Sequence, residues 1–509
     1  MAGLTKSPSE EREGLLSGVN TPSVSEPDTS KASPFRQQST RLSLAGIGVL
    51  LGLILSVFYW LRVPPRLVNN LYLGGQTLRS NGTQKFKRTV LLVSIDGLRH
   101  TLQSKHYLDR GLTPHLLDVS KKGLRAKFMK PVFPTLTFPN HWTLMTGLYT
   151  ESHGIVANNF WDAETDSEFH YNNISSCWEP HWWLGEPMWE TAKKAGLITA
   201  NLMWPGPAKT LSGASPTYFV PWANKVSLDT KLAQILDWID LPLSERPQLI
   251  LTYEPSLDQA GHAKGPYSRE VNETLRYVDG FVRDLHDSLV ARNLTEIVDV
   301  IFVSDHGMTD TSHPELVYID DLLGENGWKA VKHEDGWPSM GLHFDPSANA
   351  SHYLDVLLTA AEDNSEKFDV YTPQTMPERY HFAHSSRIAP VYVVPKTGYV
   401  LTTRAEGDVG LSKGNHGYDN NDPTMNAVFV AHGPFSSTAK IAHDKQSSSY
   451  RLRGPFNPNK GWHSTSDDTY VMDGFQNVEI YNLVMKLLGI PQAEAAQTNG
   501  TTGFWDIFF

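Results

Sequence analysis

Short apolar runs of strand length alternate along the chain with amphipathic segments of helical length. The apolar runs after residue 88 are TVLLVSI (89–95), LITANLMW (197–204), QLILTYE (248–254), VDVIFVS (298–304) and NAVFVAH (426–432). The helical patterns between them include PMWETAKKAG (187–196) and YSREVNETLRYVDGFVRDLHDSLVARN (267–293). Strands that are buried on both faces read as continuous apolar runs. The pattern therefore predicts an α/β fold whose central, mainly parallel sheet carries helices on both faces.

One longer apolar segment precedes this region. LSLAGIGVLLGLILSVFYWL (42–61) has no charge in twenty residues and is bracketed by Arg41 and Arg62. Twenty apolar residues match the hydrocarbon thickness of a bilayer, and Tyr59 and Trp60 suit its interface. A cleaved signal peptide has a shorter apolar core nearer the N-terminus. The segment predicts one transmembrane helix, with a buried core helix as the alternative.

The segments on either side of this predicted helix differ in composition. Residues 1–41 are rich in Ser, Thr, Pro and charge, which predicts a disordered tail. Within the tail, EREGLL (11–16) resembles an acidic dileucine sorting signal, and a chance match is the alternative for so short a pattern. We interpret residues 62–88 as a stalk and 89–509 as the folded domain, with an inserted subdomain within the less regular residues 310–410.

The distribution of glycosylation motifs indicates a topology. Six Asn-x-Ser/Thr triplets all follow the apolar segment, and their asparagines are Asn81, Asn173, Asn272, Asn293, Asn349 and Asn499. Such triplets accept glycans in secreted or lumenal segments. They favour a single-pass type II membrane glycoprotein with a cytosolic tail. The folded domain is then lumenal or extracellular, in a vacuole or lysosome or at the cell surface.

Charge and cysteine content exclude some classes of protein. The chain of 509 residues has a formal net charge of −11, and its first 41 residues contain five basic and five acidic side chains, so the acidity lies in the remainder. An acidic body argues against duplex nucleic acid as a partner, because phosphate neutralisation requires a basic face. It remains compatible with a small phosphate ester held by metal ions. The one cysteine, Cys177, allows no intrachain disulfide.

Carboxylates and imidazoles follow the ends of several apolar runs. The set consists of three carboxylates and three imidazoles: Asp96, Asp258, His262, Asp305, His306 and His416. Each of the carboxylates alone also suits a helix cap or a turn. Ligands of open α/β sheets collect outside the carboxyl ends of the strands, so these side chains are expected to converge there. Mixed Asp/His ligation suits zinc, and two divalent metals can bridge a phosphoryl group.

The motifs around these residues resemble the nucleotide pyrophosphatase/phosphodiesterase family of the alkaline phosphatase superfamily. The resemblance extends from about Val90 to Ile490, and the chain resembles the minimal, single-domain, membrane-anchored forms of the family, as in fungi. It is carried by VSIDGLR, TFPNHWTLMTGLYTESHGIVANN, EPMWETAKKAG, WPG, DQAGHAKGP, VSDHGM, GNHGYDN and VFVAHGPF, in the order and spacing of the family.

The resemblance implies two zinc ions and assigns their ligands. One ion is expected to bind Asp258, His262 and His416. The other is expected to bind Asp96, Asp305 and His306 together with the hydroxyl oxygen of Thr137.

The same resemblance implies roles for the remaining site residues. Thr137 is the expected nucleophile, and Asn158 matches a family asparagine that hydrogen-bonds a nonbridging phosphate oxygen. Phe138 matches an aromatic that stacks on the nucleotide base. Trp222 stands where the family usually has Tyr on the other face of that base, and stacking tolerates the exchange. Leu136 replaces a Lys that is common in animal members, which leaves the preferred nucleotide open.

The implied activity is hydrolysis of phosphodiester and phosphoanhydride bonds of nucleotides to nucleoside 5′-monophosphates, through a covalent nucleotidyl-threonine. Residues 89–509 are then the phosphodiesterase catalytic domain, its partners are small-molecule nucleotides and a membrane, and no obligate protein partner is expected. The enzymatic alternatives are a phosphodiesterase for lipid or choline-phosphate esters and a phosphomonoesterase of the same superfamily. A non-catalytic surface binding protein is the alternative of another class.

Overall fold

The computed structural model describes residues 78–99, 111–407, 412–451, 462–464 and 470–509. The predicted tail, the predicted transmembrane helix (42–61) and most of the predicted stalk lie outside these residues. Within the described part, no helix is both long and apolar enough to cross a membrane.

The strands are short, and most of the buried ones are confined to the apolar runs of the sequence. The described strands are Arg79–Ser80 (β1), Lys85–Phe86 (β2), Thr89–Ile95 (β3), Leu124–Ala126 (β4), Met129–Lys130 (β5), Asn159–Asp162 (β6), Ser167–His170 (β7), Thr199–Leu202 (β8), Tyr218–Val220 (β9), Leu249–Glu254 (β10), Val298–Val303 (β11), Thr309–Asp310 (β12), Glu315–Tyr318 (β13), Val331–Asp335 (β14), Met340–Phe344 (β15), Phe368–Tyr371 (β16), Val391–Pro395 (β17), Tyr399–Thr402 (β18), Gly414–Asn415 (β19), Phe429–His432 (β20), Trp462–Ser464 (β21), Tyr470–Met472 (β22) and Phe475–Gln476 (β23).

The helices occupy the amphipathic segments between the strands. The described α-helices are Pro114–Lys122, Thr137–Thr146, Thr150–His153, Ile174–Cys177, Met188–Lys194, Leu228–Asp240, Ser256–Lys264, Arg269–Ala291, Ile319–Lys329, Ala350–Asp363, Pro434–Arg451 and Glu479–Leu488. Single turns of 3₁₀-helix cover Pro180–Trp182, Glu378–Tyr380, Pro423–Met425 and Phe504–Phe508.

Nine strands form the central sheet, in the spatial order β21-β22-β4-β20-β11-β3-β10-β8-β9. The five strands from β11 to β9 are parallel neighbours. β20 runs antiparallel to both β11 and β4, and β21 antiparallel to β22. The α/β prediction is confirmed, and the sheet is mixed. The direction of the apolar run at 426–432, which forms β20, cannot be predicted from its composition. This strand begins beside the carboxyl end of β11 and runs back along it without a crossover helix.

Alternate residues of the central strands enter two different cores. In β3, Val90 and Leu92 face one hydrophobic cluster, while Leu91 and Val93 face the other. The first cluster includes apolar side chains of the helices at 137–146, 188–194 and 479–488. The second includes those of the helices at 114–122, 228–240 and 269–291. Because β-strand side chains alternate between faces, the sheet is covered by helices on both sides.

Residues within 310–410 include a smaller antiparallel sheet with a hydrophobic cluster of its own. The strand order in this sheet is β14-β15-β17-β16. The cluster joins these strands to the helices Ile319–Lys329 and Ala350–Asp363. This is the range in which the sequence predicts an inserted subdomain; its boundaries stay a prediction.

Candidate functional site

Three neighbouring parallel strands end at the same edge of the central sheet. Asp96 follows the last residue of β3, Asp258 lies four residues beyond β10, and Asp305 lies two residues beyond β11. β3 pairs with both β10 and β11 in parallel, so the three carboxyl ends adjoin. The side chains are buried, with exposed fractions of 1% for Asp96, 9% for Asp258 and 0% for Asp305. The topology thus brings three acids from distant parts of the chain into one buried cluster.

The first group of metal-ligand candidates forms around the helix Ser256–Lys264, which we call the Asp258 helix. Asp258 and His262 are four residues apart and therefore lie on one face of it. His416, directly after β19, approaches from the other side. The Nε2 atoms of His262 and His416 lie 3.0 Å apart, and each lies 3.4 Å from Asp258 Oδ1.

The second group forms around His306. Its Nε2 atom lies 3.2 Å from Asp96 Oδ1, 3.0 Å from Asp305 Oδ2 and 3.2 Å from the Thr137 hydroxyl oxygen. Ligand atoms of Asp96, Asp258 and His306 all lie within 4.8 Å of one another, as do those of Asp258, His262 and His416. The structure thus brings together all six predicted ligands and Thr137. Asp258 belongs to both sets of three, whereas Asp305 belongs to neither and contacts His306.

Backbone carbonyls orient all three imidazoles. His262 Nδ1 lies 2.8 Å from the carbonyl oxygen of Gly414, His306 Nδ1 2.8 Å from that of Gly307, and His416 Nδ1 2.8 Å from that of Thr135. A carbonyl oxygen only accepts hydrogen bonds, so each Nδ1 carries the proton. The lone pair of each Nε2 therefore faces the cluster, which is the arrangement that metal-ligating histidines adopt.

The carboxylates fit a divalent cation. Asp96 Oδ1, Asp258 Oδ1 and Asp305 Oδ2 are buried without a hydrogen-bond donor. Burial, followed by repulsion from Asp305 and Asp258, raises the pKa of Asp96 well above its ordinary value. Burial also raises the pKa of Asp258. For Asp305, burial acts upward, but His306 and His141 together hold the pKa well below its usual range. Buried carboxylate oxygens that face one another beside imidazole nitrogens are a donor set suited to zinc.

Thr137 is the first residue of the helix Thr137–Thr146, which we call the Thr137 helix. Leu136 before it is extended, with φ −108° and ψ 155°. Asn140 holds this turn: its Nδ2 donates to the carbonyls of Pro134 (3.1 Å) and Leu136 (2.9 Å), and its Oδ1 accepts from Val132 N–H (2.9 Å). Thr137 therefore lies at the positive end of a helix dipole, which favours a bound anion.

Asn158 lies beside the start of the Thr137 helix. Its Oδ1 accepts a hydrogen bond of 3.0 Å from Phe138 N–H. Because a backbone N–H only donates, the facing atom is the oxygen, and the amide Nδ2 is left as a donor. The arrangement couples the orientation of this donor to the residue that follows Thr137.

The two predicted base-stacking residues occupy different surroundings. The half-buried ring of Phe138 lies 5.5 Å from Tyr171, 6.1 Å from Phe169 and 6.2 Å from Trp183, between ring centroids. Trp222 is 44% exposed and follows β9 at the same edge of the sheet. β9 is three strands away from β3, which corresponds to about 14 Å. In the described part of the chain, Trp222 is not among the ring neighbours of Phe138.

Sequence reasoning missed the residues that support the cluster from beneath. His141 Nδ1 lies 2.8 Å from the carbonyl oxygen of Thr137 and 3.3 Å from Asp305 Oδ2, and its Nε2 lies 2.8 Å from Ser94 Oγ. The hydroxyl of Tyr253 donates to Asp96 Oδ2. The spacing of four residues from Thr137 was a usable signal for His141. Tyr253 lies inside an apolar strand, and its sequence context carries no such signal.

The six glycosylation candidates differ in their exposure and in their hydrogen bonds. Asn173, Asn293, Asn349 and Asn499 are exposed, whereas Asn81 and Asn272 are half-buried. Asn81 Nδ2 donates to the carbonyl of Arg292 (2.8 Å), and Asn293 Nδ2 donates to the carbonyl of Asn81 (3.0 Å). Their modification stays a prediction.

Comparison with known proteins decides the family. The sequence model of a family described as type I phosphodiesterase / nucleotide pyrophosphatase matches residues 90–419. The chain belongs to this family. The recognition made from the motifs is therefore confirmed, and the members of the family are hydrolases that act on nucleotides. The family is metal-dependent, in keeping with the donor cluster.

Individual relatives within the family differ in length. An uncharacterized pyrophosphatase/phosphodiesterase of Schizosaccharomyces pombe is 36% identical over 430 residues, which are 83% of this chain and 80% of that protein. Ectonucleotide pyrophosphatase/phosphodiesterase family member 3 of Rattus norvegicus is 32% identical over 418 residues, 81% of this chain and 43% of that protein. The chain thus spans less than half of the rat relative.

A solved structure of the family resembles the fold closely. It is murine ectonucleotide pyrophosphatase/phosphodiesterase 5, as an inactive threonine-to-alanine variant in complex with AMP. The TM-score is 0.69 at 27% identity, with 83% of this chain and 99% of that chain covered. This similarity agrees with the α/β, alkaline-phosphatase-like architecture of the described residues.

Proposed function

We propose that this chain hydrolyses phosphodiester and phosphoanhydride bonds of nucleotides to nucleoside 5′-monophosphates, with two zinc ions and a covalent nucleotidyl-threonine intermediate. The observation that carries the proposal is the position of Thr137. Its hydroxyl oxygen lies 3.2 Å from His306 Nε2, at the start of a helix and beside a buried cluster of acids and imidazoles. A hydroxyl in that position has the surroundings of an activated nucleophile.

The donor set divides into two sites under this proposal. Asp258, His262 and His416 would hold one zinc ion, and Asp96, Asp305, His306 and the Thr137 hydroxyl would hold the other. When bound, the two ions stabilise charge on the attacking and leaving oxygens of the phosphoryl group and lower the pKa of a coordinated hydroxyl.

The side chains of the protein perform the remaining steps. Thr137 Oγ1 gives up its proton to solvent and attacks phosphorus in line with the leaving group; the bond from threonine oxygen to phosphorus forms, and the bond to the leaving oxygen breaks. Asn158 Nδ2 donates to a nonbridging oxygen, where charge increases in the transition state. Water then displaces Thr137 from phosphorus, which regenerates the hydroxyl and releases the nucleoside 5′-monophosphate.

The aromatic residues supply recognition of the base. Phe138 is half-buried next to the nucleophile, with its ring beside that of Tyr171, and Trp222 is exposed at the same edge of the sheet. In a nucleotide whose phosphate contacts Thr137, the base would stack on Phe138, and Trp222 would lie on the other face of the base. The AMP complex of the murine relative supports the ligand class, and the inactive form of that relative has one threonine replaced by alanine, in keeping with a threonine nucleophile.

The location of the enzyme is part of the same proposal. Several relatives carry the prefix "ecto" in their names. Together with the apolar segment at 42–61 and the glycosylation motifs beyond it, this supports a type II membrane glycoprotein whose catalytic domain is lumenal or extracellular.

The test is hydrolysis of thymidine 5′-monophosphate p-nitrophenyl ester by the full-length chain, with and without a chelator. We expect release of nitrophenol that stops with chelator and returns with Zn²⁺. Thr137→Ala is expected to abolish turnover while zinc content and folding are retained, and Thr137→Ser is the matched control that keeps a nucleophile. Near-normal rates of Thr137→Ala would refute the role of Thr137. Cleavage of choline-phosphate or lipid esters in place of nucleotides would favour the alternative phosphodiesterase.

A further inference from the structure

A fully buried lysine lies directly behind the cluster. Lys231, in the first turn of the helix Leu228–Asp240, is 2% exposed. Its ammonium group donates to the carbonyl oxygen of Tyr253 (2.7 Å) and to Glu254 Oε2 (2.8 Å). Lysine is almost never buried to this extent unless it is paired. Both partners of the Lys231 ammonium group therefore lie at the end of β10.

The partner of Lys231 controls the start of the Asp258 helix. Glu254 is the last residue of β10 and is 5% exposed. While its Oε2 atom faces Lys231, its Oε1 atom accepts a hydrogen bond of 2.9 Å from Ser256 N–H. Ser256 is the first residue of the helix that carries Asp258 and His262. One carboxylate thus connects the lysine to the element on which two of the ligand candidates are carried.

The same lysine acts on the second ligand group through Tyr253. Lys231 binds the carbonyl of this residue, and the hydroxyl of the same residue donates to Asp96 Oδ2. The neighbouring carbonyl, of Glu254, accepts from Asp96 N–H at 2.9 Å. Displacement of the end of β10 would therefore affect the position of Asp96 as well as that of Asp258.

We propose that Lys231 and Glu254 are a positioning pair that sets the geometry of the metal site. The inference rests on the proposed function, because it assigns the pair to the ions held there. A buried ion pair contributes little net stability, since its desolvation offsets the attraction of its charges, and replacing both partners by neutral groups is often neutral for stability. Stability alone does not account for a buried lysine at this point. A role in holding the Asp258 helix in place does account for the buried lysine, because both ligand groups depend on the position of this helix.

The test compares three variants of the full-length chain with the wild type. Lys231→Met removes the ammonium group and leaves Glu254 as an unpaired buried charge. Lys231→Met combined with Glu254→Gln leaves no such charge and retains an acceptor for Ser256 N–H. The control is Asp279→Asn, because Asp279 is also buried and accepts from His115 N–H and Leu116 N–H at the start of another helix.

Three quantities separate positioning from plain structural support. They are the Zn²⁺ affinity in competition with a chromophoric chelator, the visible spectrum of the Co²⁺-loaded protein, and kcat and KM on the nitrophenyl nucleotide ester. We expect the double variant to regain most of the thermal stability that Lys231→Met loses, yet to bind Zn²⁺ at least tenfold more weakly than wild type. Its Co²⁺ spectrum is expected to change, and kcat to fall at nearly constant KM. Asp279→Asn is expected to keep the wild-type affinity and spectrum.

Wild-type Zn²⁺ affinity and an unchanged Co²⁺ spectrum in the double variant would overturn the inference while leaving the proposed function intact. Failure of the wild-type chain to bind Zn²⁺ or Co²⁺ would instead overturn the proposed function, and the inference with it. If Lys231→Met alone does not fold, the double variant decides between the outcomes, because it contains no unpaired buried charge.

Discussion

Asp299 makes the stability of the folded chain depend on pH near neutrality. It lies in β11, is 6% exposed, and its Oδ1 accepts a hydrogen bond of 2.7 Å from Phe435 N–H. Burial raises its pKa to about 7, against opposing contributions from that hydrogen bond, Arg79 and Arg88, while Glu296 acts in the same direction as burial. The ordinary value, 3.8, applies to the unfolded chain.

Since the folded chain retains this proton up to about pH 7, while the unfolded chain loses it near 3.8, the folded state is progressively penalised between these values. The total amounts to about 4 kcal/mol of unfolding free energy, fully present above pH 7 and absent below pH 3.8. Asp299→Asn retains the acceptor for Phe435 N–H and does not ionise. The variant should therefore match wild type near pH 4 and exceed its stability by an amount that increases up to about pH 7.

The assay is urea denaturation followed by tryptophan fluorescence at a series of pH values from 4 to 8, with wild type and Asp299→Asn measured in parallel. Groups elsewhere titrate equally in both proteins, so the difference between the two curves isolates Asp299. A difference in unfolding free energy that stays constant across this range would contradict the raised pKa of Asp299. It would mean that the carboxyl group is already ionised in the folded chain.

Three further predictions concern the site itself. Asn158→Asp keeps the acceptor for the Phe138 N–H but loses the donor, and kcat should fall at least about a hundredfold in steady-state assays; a smaller loss excludes the oxyanion role. Phe138→Ala should raise KM for a nucleotide ester about tenfold or more, with little effect on p-nitrophenyl methylphosphate, which has no base; equal effects on both esters would contradict base stacking. His141→Ala removes a side-chain partner from both Ser94 Oγ and the Thr137 carbonyl and should lower the unfolding free energy by roughly 2–4 kcal/mol in urea titrations. An unchanged denaturation midpoint would show that these groups find other partners.

The strands of the central sheet could be predicted from the sequence, because strands that are buried on both faces consist almost entirely of apolar residues. The run at 89–95 coincides with β3, and the runs at 248–254 and 298–304 contain β10 and β11. The direction of β20 could not be predicted, because an apolar strand has the same sequence pattern in a parallel and an antiparallel pair. The strands of the smaller sheet within 310–410 were not predicted either, because its edge strand Val331–Asp335 alternates between half-buried and exposed residues.

The ligand candidates could be predicted from the sequence for a related reason. Acids directly after apolar runs are conspicuous, and the geometry of parallel strands predicts that they meet. The supporting contacts could not be predicted, because the residues that make them have no distinctive pattern within their own segments. Lys231 occupies an ordinary helical position, and only the folded chain shows its ammonium group beneath Glu254. Proximity in space, rather than residue type, defines such residues.

The most direct test of the account is the covalent intermediate. Full-length enzyme with Zn²⁺ is mixed with thymidine 5′-monophosphate p-nitrophenyl ester, quenched in acid within milliseconds, digested and analysed by mass spectrometry. We expect a peptide that contains Thr137 with an added thymidine monophosphate mass, and no such adduct in Thr137→Ala. An adduct on another residue would contradict it, as would a pre-steady-state burst of nitrophenol without any adduct on Thr137.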